Sequence, residues 1–158
     1  MPSRSRHNGS VAASSDTTAA QQLLRRLENG TATISIIGLG YVGLPLAVEY
    51  GTKTFRTIGV DLDTERVSRL NAGDNYIDDL DDDQVRDLVT SNRLSATATF
   101  AEAGDADVFF ICVPTPVTAN KEPDTSYIEA AAQSIAEHLR PGQLVVLKST
   151  TYPATTEG

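Results

Sequence analysis

Cysteine, histidine and tryptophan are scarce in this sequence of 158 residues, which has one cysteine, two histidines and no tryptophan. The single cysteine, Cys112, excludes a disulfide within these residues and is typical of a protein in the reducing cytoplasm. Structural zinc sites need several cysteine or histidine ligands, and too few are present to form one. We therefore predict a cytoplasmic protein without a metal site.

Basic residues are outnumbered by acidic ones, and long apolar segments are lacking. The sequence has 13 Lys and Arg against 21 Asp and Glu, for a formal net charge of −8. This acidity argues against a nucleic-acid or anionic membrane surface, because both need clustered basic side chains. No run of about 18 apolar residues is present, and the first residues lack the apolar core of a secretory signal. We predict neither a nucleic-acid nor a membrane partner.

Three segments differ in composition. Residues 1–15 are rich in serine and alanine and show no periodicity, which predicts a disordered tail. Residues 16–30 predict a short helix. The side of this helix predicted to be apolar consists of Leu23, Leu24 and Leu27. Residues 31–158 form the third segment, which is the predicted domain.

Strand-like and helix-like patterns alternate through this domain. Strands are predicted at 33–37, 55–60, 94–99, 106–113 and 143–149. Helices are predicted at 41–52, 64–73, within 74–92 and at 126–139, the last with a capping box of Ser126 and Glu129. The second, fourth and fifth strands are continuously apolar, which predicts burial on both faces. The alternation predicts an α/β fold, a doubly wound parallel sheet.

Three glycines lie where the first predicted strand meets a helix, in SIIGLGYVGLPLA at 35–47. Gly38, Gly40 and Gly43 have the spacing of the dinucleotide-binding fingerprint, in the strand-to-helix context that it requires. There the first glycine permits a tight turn, the second lets the backbone approach a pyrophosphate, and the third allows close helix–strand packing. The helix N-terminus offers N–H groups to the phosphates. A glycine-rich turn without a ligand is the alternative for the motif alone.

Asp61 follows the second predicted strand at about the distance, roughly 20 residues, at which the fingerprint has a ribose-binding acid. A carboxylate there binds the adenosine ribose hydroxyls and repels a 2′-phosphate, so NAD is favoured over NADP. Arg66 lies five residues further on. The residues alone leave open that Arg66 accepts such a phosphate.

Further polar residues follow later strands, at the sheet edge where open α/β folds bind ligands. Pro114, Thr115 and Pro116 follow the fourth predicted strand, and Ser149 and Thr150 lie at the C-terminal end of the fifth. A rigid proline-containing loop is the structural alternative for the first group. A strand-end cap is the alternative for the second.

Cys112, His138 and the acidic run 78–83 carry weaker signals. Cys112 lies in an apolar strand, where burial raises the pKa of a thiol and lowers its reactivity, so we predict a structural role. His138 lies near a helix C-terminus, which favours a surface role over catalysis. The acidic run lacks the glycine and spacing of a calcium loop and predicts a solvated loop with a helix cap.

Five segments of the sequence resemble the N-terminal domain of the UDP-glucose/GDP-mannose dehydrogenase family. They are IIGLGYVGLPLA, GVDLDTERVSRLNAG, FFICVPTP, KEPDTSYI and LKSTTYPATTEG, which follow one another within residues 33–158. The combination of VPTP, EPD and STTYP is similar to the branch that acts on UDP-N-acetylglucosamine or UDP-N-acetylmannosamine.

The resemblance implies a Rossmann-like fold that binds NAD. The cofactor-binding residues that it implies are Gly38, Gly40, Tyr41, Val42, Gly43, Asp61, Arg66, Thr115 and Thr150. Tyr41 and Val42 would lie at the pyrophosphate. Asp61 and Arg66 would lie at the adenosine, which is normal for NAD-using members. Both threonines would lie near the nicotinamide, with Thr150 also as the catalytic residue.

The resemblance also implies the chemistry of the full-length parent. Its substrate would be a UDP-sugar, whose C6 alcohol is oxidised to a uronate for polysaccharide precursors, and the parent would be a homo-oligomer. The family pattern continues beyond position 158 with a dimerisation helix, a catalytic cysteine and a UDP-binding domain. We therefore expect a sheet incomplete at its C-terminal edge and no uronate formation by these residues alone.

The sequence is compatible with two alternatives to this enzyme. One is a non-catalytic NAD-binding remnant that docks on a full-length paralogue. The other is a β-hydroxyacid dehydrogenase, a family that also opens with a GLGxMG-type loop. Val42 in place of that methionine, together with KEPD and STTYP, disfavours the second alternative.

Overall fold

The computed structural model describes residues 18–148. The predictions for the tail at 1–15, the start of the first helix, Ser149 and Thr150 therefore lie outside the described residues. Helix α1 covers 18–29, and a 3₁₀ turn covers Phe100–Ala103. The other elements are, in chain order, β1 (Thr33–Ile37), α2 (Gly43–Thr52), β2 (Arg56–Val60), α3 (Thr64–Asn71), α4 (Asp82–Thr90), β3 (Leu94–Thr97), β4 (Val108–Ile111), α5 (Ser126–His138) and β5 (Leu144–Leu147).

The five strands form one parallel sheet in the order β3-β2-β1-β4-β5. β1 lies at its centre, where Ile36 is in register with Gly59 of β2 and with Phe110 of β4. The chain runs outward from β1 in one direction through β2 and β3, and in the other through β4 and β5. This confirms the predicted doubly wound fold. The reversal beside β1 opens a crevice at the carboxyl ends of β1 and β4.

Helices cover both faces of the sheet. Ile34 and Ile36 of β1 join a buried cluster with side chains of α2, α3 and α4 on one face. Ile37 joins a second cluster with the 3₁₀ turn and α5 on the other face. Successive strand residues point to opposite faces, so one apolar run in β1 supplies both layers of the core.

β5 departs from the predicted burial. β4 is buried throughout and β2 is buried beyond Arg56, as predicted. In β5, by contrast, Leu144, Val145 and Leu147 are exposed. Among the described residues β5 pairs with β4 alone, so the prediction of burial on both faces is wrong for this strand. An apolar run reports the polarity of a strand and not the number of its neighbours.

Acidic side chains accept hydrogen bonds at the starts of α4 and α5. Asp81 accepts hydrogen bonds from the backbone N–H groups of Asp83 and Gln84, at 2.9 and 3.4 Å, which confirms the helix cap predicted in the acidic run. The capping box predicted at Ser126 is wrong, because Ser126 is already the first residue of α5. Its N–H instead donates to Asp124, two residues before the helix begins, at 3.0 Å.

Helix α1 is held against the sheet by packing and by one ion pair. Leu23 and Leu27 pack against the core, whereas Leu24 is 57% exposed, so the predicted apolar side is wrong for Leu24. Residues four apart share a helix face, and a residue next to one of them is turned about 100° away. Arg26 pairs with Asp107 at 3.0 Å. The same carboxylate accepts the first N–H of β1 at 2.8 Å.

Candidate functional site

The turn after β1 requires glycine at its first position. Gly38 has φ of +98°, in the left-handed region that side chains disfavour. A Cβ at this position would lie 2.9 Å from the backbone carbon and oxygen of Cys112. The N–H of Gly38 donates to the carbonyl of Val60 at 2.7 Å. The turn is therefore packed against the ends of both neighbouring strands.

The other two glycines of the motif differ in what surrounds them. A Cβ at Gly43 would overlap the carbonyl oxygen of Gly38 and lie 3.3 Å from Cγ2 of Ile36. A Cβ at Gly40 would have Nη1 of Arg66 as its nearest neighbour, at 3.9 Å. Gly43 thus serves the close packing of α2 on β1, while Gly40 borders open space. An open backbone at this position is what the approach of a pyrophosphate requires.

The N-terminus of α2 carries no counter-charge of its own. The residue before the helix, Val42, has no capping side chain, and the first turn has no acidic residue. Pro45 has no backbone N–H, so in the first turn of the helix it donates no hydrogen bond and leaves no donor unpaired. The positive end of the helix dipole therefore lies just after Gly40 with no acidic side chain of the first turn to neutralise it, an arrangement that favours an anion.

Asp61, at the end of β2, reaches back to the glycine turn. Its Oδ2 accepts the N–H of Leu39 at 2.8 Å and Nη1 of Arg66 at 3.1 Å. Its Oδ1 accepts the N–H of Asp63 at 2.9 Å. The Asp61 side chain is only 11% exposed. Since a carboxylate has about four acceptor positions, Asp61 holds the turn in place and keeps one position for another donor.

Arg66 projects from the first turn of α3 onto this carboxylate. Burial alone would lower the pKa of Arg66, but the hydrogen bond and the charge of Asp61 raise it above its ordinary value. Asp63 caps the same helix by accepting the N–H groups of Glu65 and Arg66 at 3.1 and 3.2 Å. The guanidinium is therefore directed at Asp61 by the start of α3 and is engaged there.

Tyr76 is a residue of this site that the sequence did not reveal. It lies in the loop between α3 and α4, and its hydroxyl donates to the carbonyl of Leu39 at 2.7 Å. The guanidinium carbons of Arg66 and Arg69 both lie 5.6 Å from the centre of its ring, within cation–π distance. Burial raises the pKa of Tyr76 above its ordinary value. No local pattern marks this tyrosine, because its partner is 37 residues away in the chain.

Two large apolar side chains border the site and are open to solvent. Tyr41 in the glycine turn is 82% exposed, and Leu62, directly after Asp61, is 83% exposed. Val42 is half-buried and packs against the core. Tyr41 and Val42 were predicted to be site residues, and Leu62 was not. An exposed leucine next to a site carboxylate is a signal that only the burial pattern provides.

The loop after β4 runs past the same turn. Cys112 and Val113, which begin this loop, lie next to Gly38, and Thr115 follows two residues later as a half-buried residue. The loop is shaped by a bridge between Val117 and Pro123. The structure thus brings Thr115 to the same sheet edge as the glycine turn. Thr150 lies outside the described residues.

The weaker candidates have structural surroundings. Cys112 is 6% exposed, and burial raises the pKa of its thiol to about 11, in agreement with the predicted structural role. The ring centre of His138 lies 5.4 Å from that of Phe100, and Nδ1 of His138 hydrogen-bonds the carbonyl of Ser134 at 3.0 Å. Within residues 18–148, no three acidic, histidine or cysteine side chains are grouped as metal ligands. In the same residues every helix is too short or too polar to cross a membrane.

A glycine turn with an open second glycine, an uncapped helix N-terminus and a carboxylate on the adjacent strand define a dinucleotide-binding domain. Residues 32–158 match the NAD binding domain of the UDP-glucose/GDP-mannose dehydrogenase family. The chain belongs to this family, which confirms the predicted resemblance and its NAD cofactor.

Curated relatives support the same assignment. The chain is 45% identical over 134 residues to an NDP-N-acetyl-D-galactosaminuronic acid dehydrogenase of Ralstonia nicotianae, covering 84% of this chain and 31% of the relative. It is 42% identical over 127 residues to the UDP-N-acetyl-D-mannosamine dehydrogenase of Escherichia coli K12, covering 80% and 30%. The chain thus spans less than a third of the length of these relatives.

Solved structures share the fold. A GDP-mannose dehydrogenase from Pseudomonas aeruginosa, solved as a ternary complex, superposes with a TM-score of 0.71 at 35% identity, over 79% of this chain and 30% of that one. A UDP-glucose dehydrogenase from Pyrobaculum islandicum gives 0.70 at 37% identity, over 80% and 31%. These similarities confirm the predicted Rossmann-type sheet.

Proposed function

We propose that this chain supplies the NAD site of an enzyme that oxidises the C6 alcohol of a UDP-N-acetylhexosamine or UDP-hexose to a uronate. The similarity to dehydrogenases of N-acetylated sugar nucleotides supports this substrate class. Such an enzyme makes polysaccharide precursors from a UDP-sugar in the cytoplasm, and we propose a homo-oligomer for the full-length parent. The observation that carries the proposal is the hydrogen bond from the N–H of Leu39 to Asp61, next to the open backbone at Gly40.

Different residues of the site are suited to different parts of NAD. The open backbone at Gly40 and the N-terminus of α2 would receive the pyrophosphate, with Tyr41 and Val42 beside it. Asp61 has an acceptor position left for a ribose hydroxyl. Leu62 offers an exposed apolar surface next to that carboxylate. When bound, NAD accepts the hydride that leaves the sugar carbon.

The pairing of Arg66 with Asp61 supports NAD over NADP. Arg66 already donates to Asp61 at 3.1 Å, so its charge is engaged in holding the carboxylate. A 2′-phosphate placed at the ribose would meet the carboxylate as well as the guanidinium. We therefore assign Arg66 to the adenosine side as a partner of Asp61. Thr115 would lie on the nicotinamide side, and Thr150 is proposed there as a catalytic residue.

Cys112 does not suit the nucleophile that uronate formation implies. The thiol is buried and has a pKa of about 11, whereas a reactive cysteine needs a lowered pKa and access to solvent. It is also the one cysteine among the 158 residues. We propose that these residues bind NAD without forming a uronate. Release of NADH from NAD and a UDP-N-acetylhexosamine by the purified chain would contradict this.

Isothermal titration with NAD and NADP tests the cofactor assignment. We expect NAD to bind at least about tenfold more tightly than NADP, and Asp61→Asn to weaken NAD by about tenfold or more, since hydrogen bonds to charged groups are the stronger ones. Asp105→Asn is the matched control, because it removes an equal charge from a side chain that is 96% exposed. Equal binding of NAD and NADP, or an Asp61→Asn chain that binds like the wild type, would refute the assignment.

A second candidate function is a non-catalytic NAD-binding domain that associates with a full-length paralogue. The exposed face of β5, with Leu144, Val145 and Leu147, favours it, because an apolar strand surface is stabilised when another chain covers it. Size-exclusion chromatography with light scattering distinguishes the two candidates. Stable association with a complete dehydrogenase that retains its activity supports the second, and absence of association excludes it.

A further inference from the structure

The peptide groups on both sides of Leu39 are held by side chains. The N–H of Leu39 donates to Asp61 at 2.8 Å, and the carbonyl of Leu39 accepts the hydroxyl of Tyr76 at 2.7 Å. The Leu39 side chain is fully buried. Leu39 therefore has no freedom to rotate within the glycine turn, and two distant side chains determine its backbone orientation.

The hydrogen bond from Tyr76 has a consequence for Gly40. The carbonyl of Leu39 and the N–H of Gly40 belong to one planar trans peptide group, in which the two point in opposite directions. A side chain that fixes the carbonyl therefore also fixes the direction of the Gly40 N–H. Without this bond, the lack of a side chain at Gly40 would let the peptide rotate at low cost.

Tyr76 is well suited to hold a peptide group. A tyrosine hydroxyl ordinarily has a pKa of about 10 and is a protonated donor at physiological pH, and burial raises the pKa of Tyr76 further. Its ring lies against the guanidinium groups of Arg66 and Arg69, each at 5.6 Å. Arg66 in turn pairs with Asp61. Tyr76 thus connects the glycine turn to the two side chains on the adenosine side.

We propose that Tyr76 is a positioning residue of the cofactor site, whose hydroxyl orients the Leu39–Gly40 peptide and with it the N–H that Gly40 presents to the diphosphate of NAD. This inference rests on the proposed function of the site. A role in packing alone is the competing explanation, and it assigns the effect to the ring and not to the hydroxyl. The two explanations predict different changes in affinity. If the hydroxyl positions the peptide, its loss weakens only ligands that carry phosphates, whereas a role in packing alone predicts no such distinction.

The test uses the whole 158-residue chain and three variants. Tyr76→Phe removes the hydroxyl and keeps the ring, and Tyr76→Leu removes both. Tyr50→Phe is the matched control, since Tyr50 is another half-buried tyrosine, stacked on Phe110 at 5.1 Å in the core. Titration calorimetry measures the affinity for NAD and ADP. Titration followed by ¹⁵N NMR measures adenosine binding and the resonance of the Gly40 amide.

We expect Tyr76→Phe to weaken NAD and ADP by about 3- to 10-fold, the range of one lost hydrogen bond, and to leave adenosine unchanged. The Gly40 amide resonance of the free chain should shift in Tyr76→Phe and not in Tyr50→Phe. A wild-type chain that does not bind NAD refutes the proposed function itself. If the wild type binds NAD, the positioning role is overturned by any of three results: undiminished affinity in Tyr76→Phe, equal losses for ADP and adenosine, or a Tyr76→Phe chain that does not fold.

Discussion

Substitution of the second and third glycines of the turn by alanine should separate binding from folding. A methyl group at Gly43 would overlap the carbonyl oxygen of Gly38, and both partners are backbone. No flexible side chain can move aside to relieve this contact. A methyl group at Gly40 would instead meet Arg66 at 3.9 Å, an ordinary van der Waals distance.

The expected magnitudes follow from these contacts. Overpacking lowers the free energy of unfolding by about 1–3 kcal/mol, and a contact between rigid backbone atoms belongs at the upper end of this range. The higher helix propensity of alanine opposes this loss by up to about 1 kcal/mol. We therefore expect Gly43→Ala to lower the free energy of unfolding by about 2 kcal/mol or more. Gly40→Ala should change it by less than about 0.5 kcal/mol. The Gly40 methyl group would occupy the space for the pyrophosphate, so NAD affinity should fall by about tenfold or more.

Urea denaturation and NAD titration calorimetry measure the two effects. Gly104→Ala is the control, because its methyl group would have its nearest neighbour at 3.5 Å and would lie at the start of the segment leading into β4, away from the turn. It should alter neither quantity. The reasoning is refuted by a Gly43→Ala chain as stable as the wild type, or by a Gly40→Ala chain with unchanged affinity for NAD.

Three further predictions concern the core. The hydroxyl of Ser35 is buried in β1 without a hydrogen-bond partner among the described residues, so Ser35→Ala should raise the free energy of unfolding by about 1 kcal/mol; a lower urea midpoint would contradict this. Burial raises the pKa of Cys112 from 9.0 to about 11, so stability should fall as the pH rises from 9 towards 11, because the unfolded chain loses the thiol proton first. Cys112→Ala should reduce that fall. At pH 8 the native thiol should react with iodoacetamide about 100-fold more slowly than in urea, since two pKa units lower the thiolate fraction by that factor. Equal rates would show that the thiol is accessible.

Most of the fold could be predicted from local patterns. Residues close together in the chain are enough to recognise the apolar run at 33–37, the glycine spacing and the periodicity of α5. The structure has the corresponding elements where the sequence predicts them. The candidate site was predictable in part for the same reason. Gly38 and Gly43 owe their turn and close packing to steric limits on the backbone, which any chain must obey at that junction. Those limits can be recognised from residue type and spacing.

Contacts between distant segments were decided by the tertiary structure. Tyr76 reaches Leu39 across 37 residues of chain, and the three donors on Asp61 come from the turn, the next loop and α3. The exposure of β5 depends on which strands lie beside it, and its apolar composition does not contain that information. Residue type and spacing specify what a segment can form by itself, whereas the partner of a side chain depends on how the whole chain packs.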